Sequence, residues 1–244
     1  MRAGERAELE ALRDLFAAGG MPTREAAVAV AFRPPGPPTR ELTRILGLYD
    51  FAALDALDPF FEGQTYWVSL DPEAGIDVEL EARGFEADYP WQKFERGVEP
   101  FEAHTELRIG AADERFGAVF VAAYGVDAAS ASWLASVHRR EGWHTFAAYD
   151  GVEPVATGAL FVAGDVGWFG LGATRPEARG RGAQSAILAA RIDRARELGL
   201  TQLVTETGAP RDGRRGPSYR NILRAGFQPS YVRPNYRSPA TPTA

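Results

Sequence analysis

Gly170-Leu171-Gly172-Ala173-Thr174-Arg175-Pro176-Glu177-Ala178-Arg179-Gly180-Arg181-Gly182-Ala183-Gln184 is the stretch that decides the fold of this 244-residue chain. Val166–Thr174 is predicted to be a strand that runs into a proline turn. It passes through Arg-Gly-Arg-Gly directly into an amphipathic helix with Ile187, Leu188, Arg191, Ile192, Ala195 and Leu198 along one side, stopped by Gly199. Glycines at 180 and 182 let the backbone turn tightly and approach a ligand with no Cβ in the way. The amides that open such a helix have no partner within it, and the helix dipole adds roughly half a positive charge there. The combination is a site for a pyrophosphate. Arg179 and Arg181 add charge, Arg181 either toward the ligand or into solvent. Neither Gly-Lys-Ser/Thr nor G-x-G-x-x-G is present, so nucleotide-binding loops of those kinds are disfavoured.

Working outward, strands are predicted at 144–149 and 154–163, joined by the turn Asp150-Gly151. Upstream, Phe101–Ile109 is read as a strand, and Phe116, Val119, Phe120 and Ala123 line one face of a helix ending at Gly125. Trp133, Leu134 and Val137 mark another helix. Downstream come a short strand Leu203–Thr207, a helix at 217–225 ended by Gly226, and a strand at 228–236. The order β-α-α-β-β-β-α-β-α-β makes an α/β sandwich.

In that context residues 179–182 resemble motif A of the GNAT superfamily, Arg/Gln-x-x-Gly-x-Gly/Ala, with Arg179 first and Gly182 as the central glycine. Pro217-Ser218-Tyr219-Arg220-Asn221-Ile222-Leu223-Arg224-Ala225-Gly226-Phe227 resembles motif B. The resemblance spans about 140 residues, 101–244, and departs from the pattern at Gln184, where Gly or Ala is usual. It implies a mixed α/β (α+β) sheet flanked by helices, with acetyl-CoA as cofactor. Arg179, Gly180, Arg181, Gly182, Ala183 and Gln184 would line its phosphates. Ala173 and Thr174 would pair with the pantetheine arm as an added strand does. Asn221 would reach an amide or phosphate, or else simply lie exposed. For catalysis the resemblance nominates Glu206 as the group that takes a proton from the amine. The other reading of Glu206 is a salt-bridged strand residue. His144 and Glu106 are further possibilities. The usual motif B tyrosine is replaced by Ile222, so Tyr219, one turn earlier, is the candidate proton donor, with packing as its other reading.

Residues 1–100 form a smaller α/β region in this reading. Leu9, Leu12, Leu15 and Phe16 predict a helix over 3–18; Arg33–Pro38 predicts a stiff loop. A helix at 40–48, a strand at 65–70 and a helix at 73–82 follow. Glu81–Tyr89 echoes Leu223–Tyr231, each running helix, Gly, Phe, strand, so the region is either a diverged, reduced copy of the second half of the fold or shares a common helix exit with it. It lacks a glycine-rich loop and is expected to hold no cofactor. It carries 10 basic and 19 acidic residues, whereas 172–225 carries 11 basic and 5 acidic. That cationic stretch in an acidic chain either suits a polyanionic small ligand, better than nucleic acid, or is simply a set of solvated Arg-rich helices. Trp67, Tyr89, Trp91 and Phe94 would line an acceptor pocket or form local core.

No apolar run is long enough for a bilayer, no signal peptide is read at the start, there is no Cys, and the three His are not paired at ligand spacing. The expectation is a cytoplasmic N-acetyltransferase moving an acetyl group to a primary amine of a small molecule or protein, with no metal, nucleic acid or membrane partner and an open oligomeric state. A non-catalytic acyl-CoA sensing module is the alternative, and aminoacyl transfer from tRNA is disfavoured by the acidic N-terminal region.

Overall fold

The computed structural model describes residues 1–239. Eleven strands form one sheet: β1 (Thr23–Ala26), β2 (Ala29–Phe32), β3 (Arg44–Leu46), β4 (Trp67–Ser69), β5 (Glu86–Arg96), β6 (Arg108–Ala111), β7 (Trp143–Asp150), β8 (Glu153–Ala163), β9 (Val166–Thr174), β10 (Gln202–Gly208) and β11 (Gln228–Arg237). Their spatial order is β1-β2-β3-β4-β11-β5-β10-β9-β8-β7-β6. Neighbours are antiparallel except β3/β4 and β9/β10, which are parallel. Strand β5 is thereby inserted between β10 and β11, and β11 between β4 and β5.

Seven helices cover the sheet: α1 (Ala3–Ala18), α2 (Phe51–Leu57), α3 (Asp77–Ala82), α4 (Phe116–Tyr124), α5 (Ser130–Ala135), α6 (Ala183–Glu197) and α7 (Pro217–Arg224). The expected apolar stripe of α1 is buried, and it packs against strands of both halves: Val30 and Phe32 of β2, Trp168 and Leu171 of β9, Val204 of β10, in one cluster that also takes in α4 and α5. A second cluster joins α2 and α3 to Ile45 and Val68, and a third joins α6 and α7 to Phe94, Phe169 and Leu203.

The predicted elements from 116 onward are found within a few residues. Helix 3–18 is found as predicted, and the strand at 65–70 and helix at 73–82 are found in shorter form, as β4 and α3; the differences lie in the remaining segments. Residues 44–46 of the predicted 40–48 helix are strand β3, Arg-Ile-Leu, buried throughout, so three residues give no period to separate helix from strand. Only Arg108 and Ile109 of the predicted 101–109 segment are strand, and β6 continues to Ala111 in its pairing with β7. The hairpin β1–β2, too short and alanine-rich to announce itself, turns at Ala27 with φ 52°.

Candidate functional site: a phosphate cradle beside a parted strand pair

Strands β9 and β10 run together from Val166/Gln202 to Phe169/Thr205 and then part. The Thr205 hydroxyl donates to the Phe169 carbonyl at 2.9 Å, closing the last rung. Just past this point β9 is irregular: Gly170 faces Ala159 and Ala173 faces Thr157, so Leu171 and Gly172 together oppose Gly158. This is a β-bulge, which leaves a residue out of the ladder. Leu171 sits at φ 51°, a left-handed conformation costly for a leucine and one that concentrates at functional sites.

After β9 a proline turn at Pro176–Ala178 leads into the glycine loop. Gly180 (φ 83°) and Gly182 (φ 81°) both need the left-handed region, and Gly182 is the N-cap of α6 with no side chain capping that end. No acid lies in the first turn of α6. The loop is braced from a segment the sequence reading did not connect with it. The Thr105 hydroxyl donates to the Arg181 carbonyl at 2.7 Å, and a Cβ at Gly182 would come within 2.7 Å of the His104 carbonyl oxygen. A Cβ at Gly180 would meet nothing within 4 Å. The cradle is therefore open at 180 and closed at 182.

Gln184, the departure from the family pattern, ties the helix start to the strand ends. Its amide donates to the carbonyls of Ala173 (2.6 Å) and Thr157 (3.1 Å) and lies 3.0 Å from the Thr174 hydroxyl. Ala183 is buried beneath the loop. Arg181 turns outward to Asp150 at 2.5 Å, and Arg179, exposed, reaches the Ala123 carbonyl at 3.4 Å. Tyr124, at the end of α4, donates to the Gly172 carbonyl at 2.7 Å and so touches the bulge from the α1 side.

Glu206 lies at the point where β10 leaves β9, in a buried ion cluster. Its carboxylate is 2.8 Å from both Lys93 and Arg233. Glu8 of α1 is 2.5 Å from Arg44 and from Arg233 and 2.6 Å from Lys93, and Glu5 joins at 3.1 Å from Arg233. Three acids balance three bases. Burial raises the Glu8 carboxyl, but Arg233, Lys93 and Arg44 outweigh it and hold Glu8 well below the usual range. For Glu206 burial prevails, aided by Glu8, and its carboxyl is raised despite Arg233 and Lys93. Arg44 and Arg233 both lie over the Trp91 ring, and Arg40 and Arg211 over the Tyr89 ring.

Tyr219 is on the other face of the sheet, its ring edge-on to the buried Phe94 at 4.9 Å with Arg215 across it. The structure thus sets Glu206 and Tyr219 on opposite sides of the parted strands. Asn221 is engaged by Arg224 of its own helix. His144 is beside Arg194 at the far end of α6 from the cradle; burial and that cation lower its affinity for a proton.

Residues 110–216, which hold the cradle, the bulge and the parted strands, match the model of the acetyltransferase (GNAT) family. A GCN5-related N-acetyltransferase from Kribbella flavida superposes with TM-score 0.65 at 20% identity over 99% of this chain and 97% of that one. A tandem GNAT protein from the clavulanic acid biosynthesis pathway gives 0.60 at 14%, over 99% and 95%. A GCN5-related N-acetyltransferase from Sphaerobacter thermophilus gives 0.60 at 17%, over 74% of this chain and 61% of its own. No curated protein matches the chain. No helix among the described residues is long and apolar enough to cross a membrane.

Proposed function

We propose that the protein transfers an acetyl group from acetyl-CoA to a primary amine. The observation that carries this reading is an uncapped helix start behind two left-handed glycines, set beside a bulged strand that parts from its neighbour. The residues suit the group. The opening amides of α6, with Gly180, Gly182, Ala183 and Arg179, would take the pyrophosphate. Arg181 reaches the ligand only by leaving Asp150. The edge of β9 at Ala173 and Thr174, held by Gln184, would pair with the pantetheine amides, and Asn221 would face them from α7.

When bound, acetyl-CoA would supply a thioester whose carbonyl carbon accepts the amine nitrogen as its C–S bond breaks and CoA leaves as thiolate. An amide of the bulge would face the carbonyl oxygen as negative charge gathers there. Glu206, whose raised carboxyl suits a base, would take the amine's proton through a water because its own oxygens are buried among cations. Tyr219, across the parted strands, would give a proton to the thiolate.

We also propose that the N-terminal half is a reduced copy of the C-terminal one. The units β4-α3-β5 and β10-α7-β11 share the order strand, helix, Gly-Phe, strand, and their last strands pair with each other. The N-cap of α2 is Asp50, whose carboxylate accepts from the Ala53 amide at 2.7 Å; an acid at that position disfavours a phosphate, and one acetyl-CoA per chain is expected.

Calorimetric titration tests both readings. Wild type should bind acetyl-CoA with a stoichiometry of one. Gly180→Asp puts an anion into the cradle in a residue that tolerates the left-handed region, and Gly180→Asn is its neutral twin. The Asp variant should bind at least about tenfold more weakly than the Asn variant. Free CoA release over an amine panel then identifies the acceptor. Absence of acetyl-CoA binding by wild type would sink the proposal.

A further inference from the structure

Arg191, in the middle of α6, is 4% exposed and has no carboxylate partner among the described residues, unlike the equally buried Arg44, Lys93 and Arg233. Its Nη1 donates to the Ala159 carbonyl at 3.1 Å and reaches the Gly170 carbonyl at 3.4 Å. The guanidinium lies 4.6 Å over the Phe169 ring, and its Nε is buried without an acceptor. Room for it is made by Gly158, where a Cβ would come within 3.1 Å of the guanidinium carbon and 2.8 Å of Ile187.

An unpaired buried cation is costly, and burial pushes this one down to about 9. Its position offers a reason for keeping it. Ala159 and Gly170 are register partners at the edge of the bulge, and Gly158 is the residue that faces Leu171 and Gly172. The Gly170 carbonyl and the Leu171 N–H belong to one peptide group. A cation on that oxygen withdraws electron density from the group and makes its N–H a stronger donor, because linked hydrogen bonds polarise one another.

Building on the acetyl-transfer reading, we infer that Arg191 is a positioning residue: it fixes the bulge and strengthens the Leu171 amide toward the oxygen of the thioester carbonyl. The side chain touches neither substrate. It acts through the backbone, from the face of the sheet opposite α1.

The test compares wild type with Arg191→Met and Arg191→Lys in three measurements: the thermal midpoint without ligand, acetyl-CoA affinity, and the infrared stretch of the bound ¹³C-labelled acetyl carbonyl. Because a buried unpaired charge does not stabilise a fold, the Met variant should melt at the same temperature or higher. Its affinity should stay within about threefold of wild type, while turnover, including acceptor-free hydrolysis, falls roughly ten- to a hundredfold. The carbonyl band, shifted down in wild type, should return toward its value in water in the Met variant and lie between the two in the Lys variant. A Met variant that fails to fold, or that loses turnover only in proportion to lost stability, makes Arg191 a packing residue and overturns the inference. So does an unchanged carbonyl band. A wild type that does not bind acetyl-CoA at all fails at the earlier step and overturns the transfer reading instead.

Discussion

Glu8 is where three cations from three different strands converge: Arg44 of β3, Lys93 of β5 and Arg233 of β11. Removing one partner from a buried pair leaves the others uncompensated. Glu8→Gln is therefore expected to cost about 3 kcal/mol in chemical denaturation, with an unchanged m-value. The pH dependence follows from the direction of the shifts. Glu8 and Glu5 are held below the ordinary glutamate value of 4.5 in the fold, so the stability they contribute is present above that pH and lost as pH falls below it. Glu206, raised in the fold, takes up its proton first and offsets part of that loss. The acid limb of a stability-against-pH curve should accordingly be shallower in Glu8→Gln than in wild type. The family resemblance nominates Glu206, from its place on the strand after the helix that follows the glycine loop. Its setting could not be read in the same way, because no local signal marks Glu5 and Glu8 as buried and Arg233 lies 225 residues from Glu8.

At the level of elements, the strand, turn and helix around the two glycines were legible because their signals are local. A strand, a proline turn, two glycines and an amphipathic helix stand in one run of residues, and each glycine carries the backbone conformation its position demands. The two glycines are not equivalent, and substitution should separate them. Gly180→Ala meets open space and costs only the left-handed backbone, about 1 kcal/mol. Gly182→Ala adds a collision with the His104 carbonyl and should lower the thermal midpoint further and weaken acetyl-CoA binding. Equal midpoints for the two variants would contradict the brace from residues 104–105. The bulge was illegible, because a leucine at φ 51° leaves no mark in composition or periodicity. Strand β3 was misread as helix since a strand buried on both faces shows no alternation.

Across the whole molecule, the composition shift near residue 100 falls between β5 and β6, yet the sheet runs through it. Strand β5 has β10 on one side and β11 on the other, and β11 also closes β4. Fragments 1–100 and 101–244 made separately should each lack cooperative unfolding, and mixing them should restore both the near-ultraviolet circular dichroism and acetyl-CoA binding. A 101–244 fragment that melts cooperatively by itself would show β5 to be dispensable. The echo between Glu81–Tyr89 and Leu223–Tyr231 was visible in the letters. That the two strands after it pair with each other was not, because pairing across some 140 residues follows from topology and not from any local signal.

That exchange of strands has a consequence during synthesis. Arg237 pairs opposite Glu86, so a ribosome that has already released the first hundred residues has produced a sheet with an unfilled slot. Its hydrogen-bonding edges wait for a strand not yet translated. By this topology neither half is expected to complete its part of the sheet until β11 has emerged. A nascent chain stalled anywhere before β11 would be expected to display the open edges of β4 and β5 to chaperones and proteases.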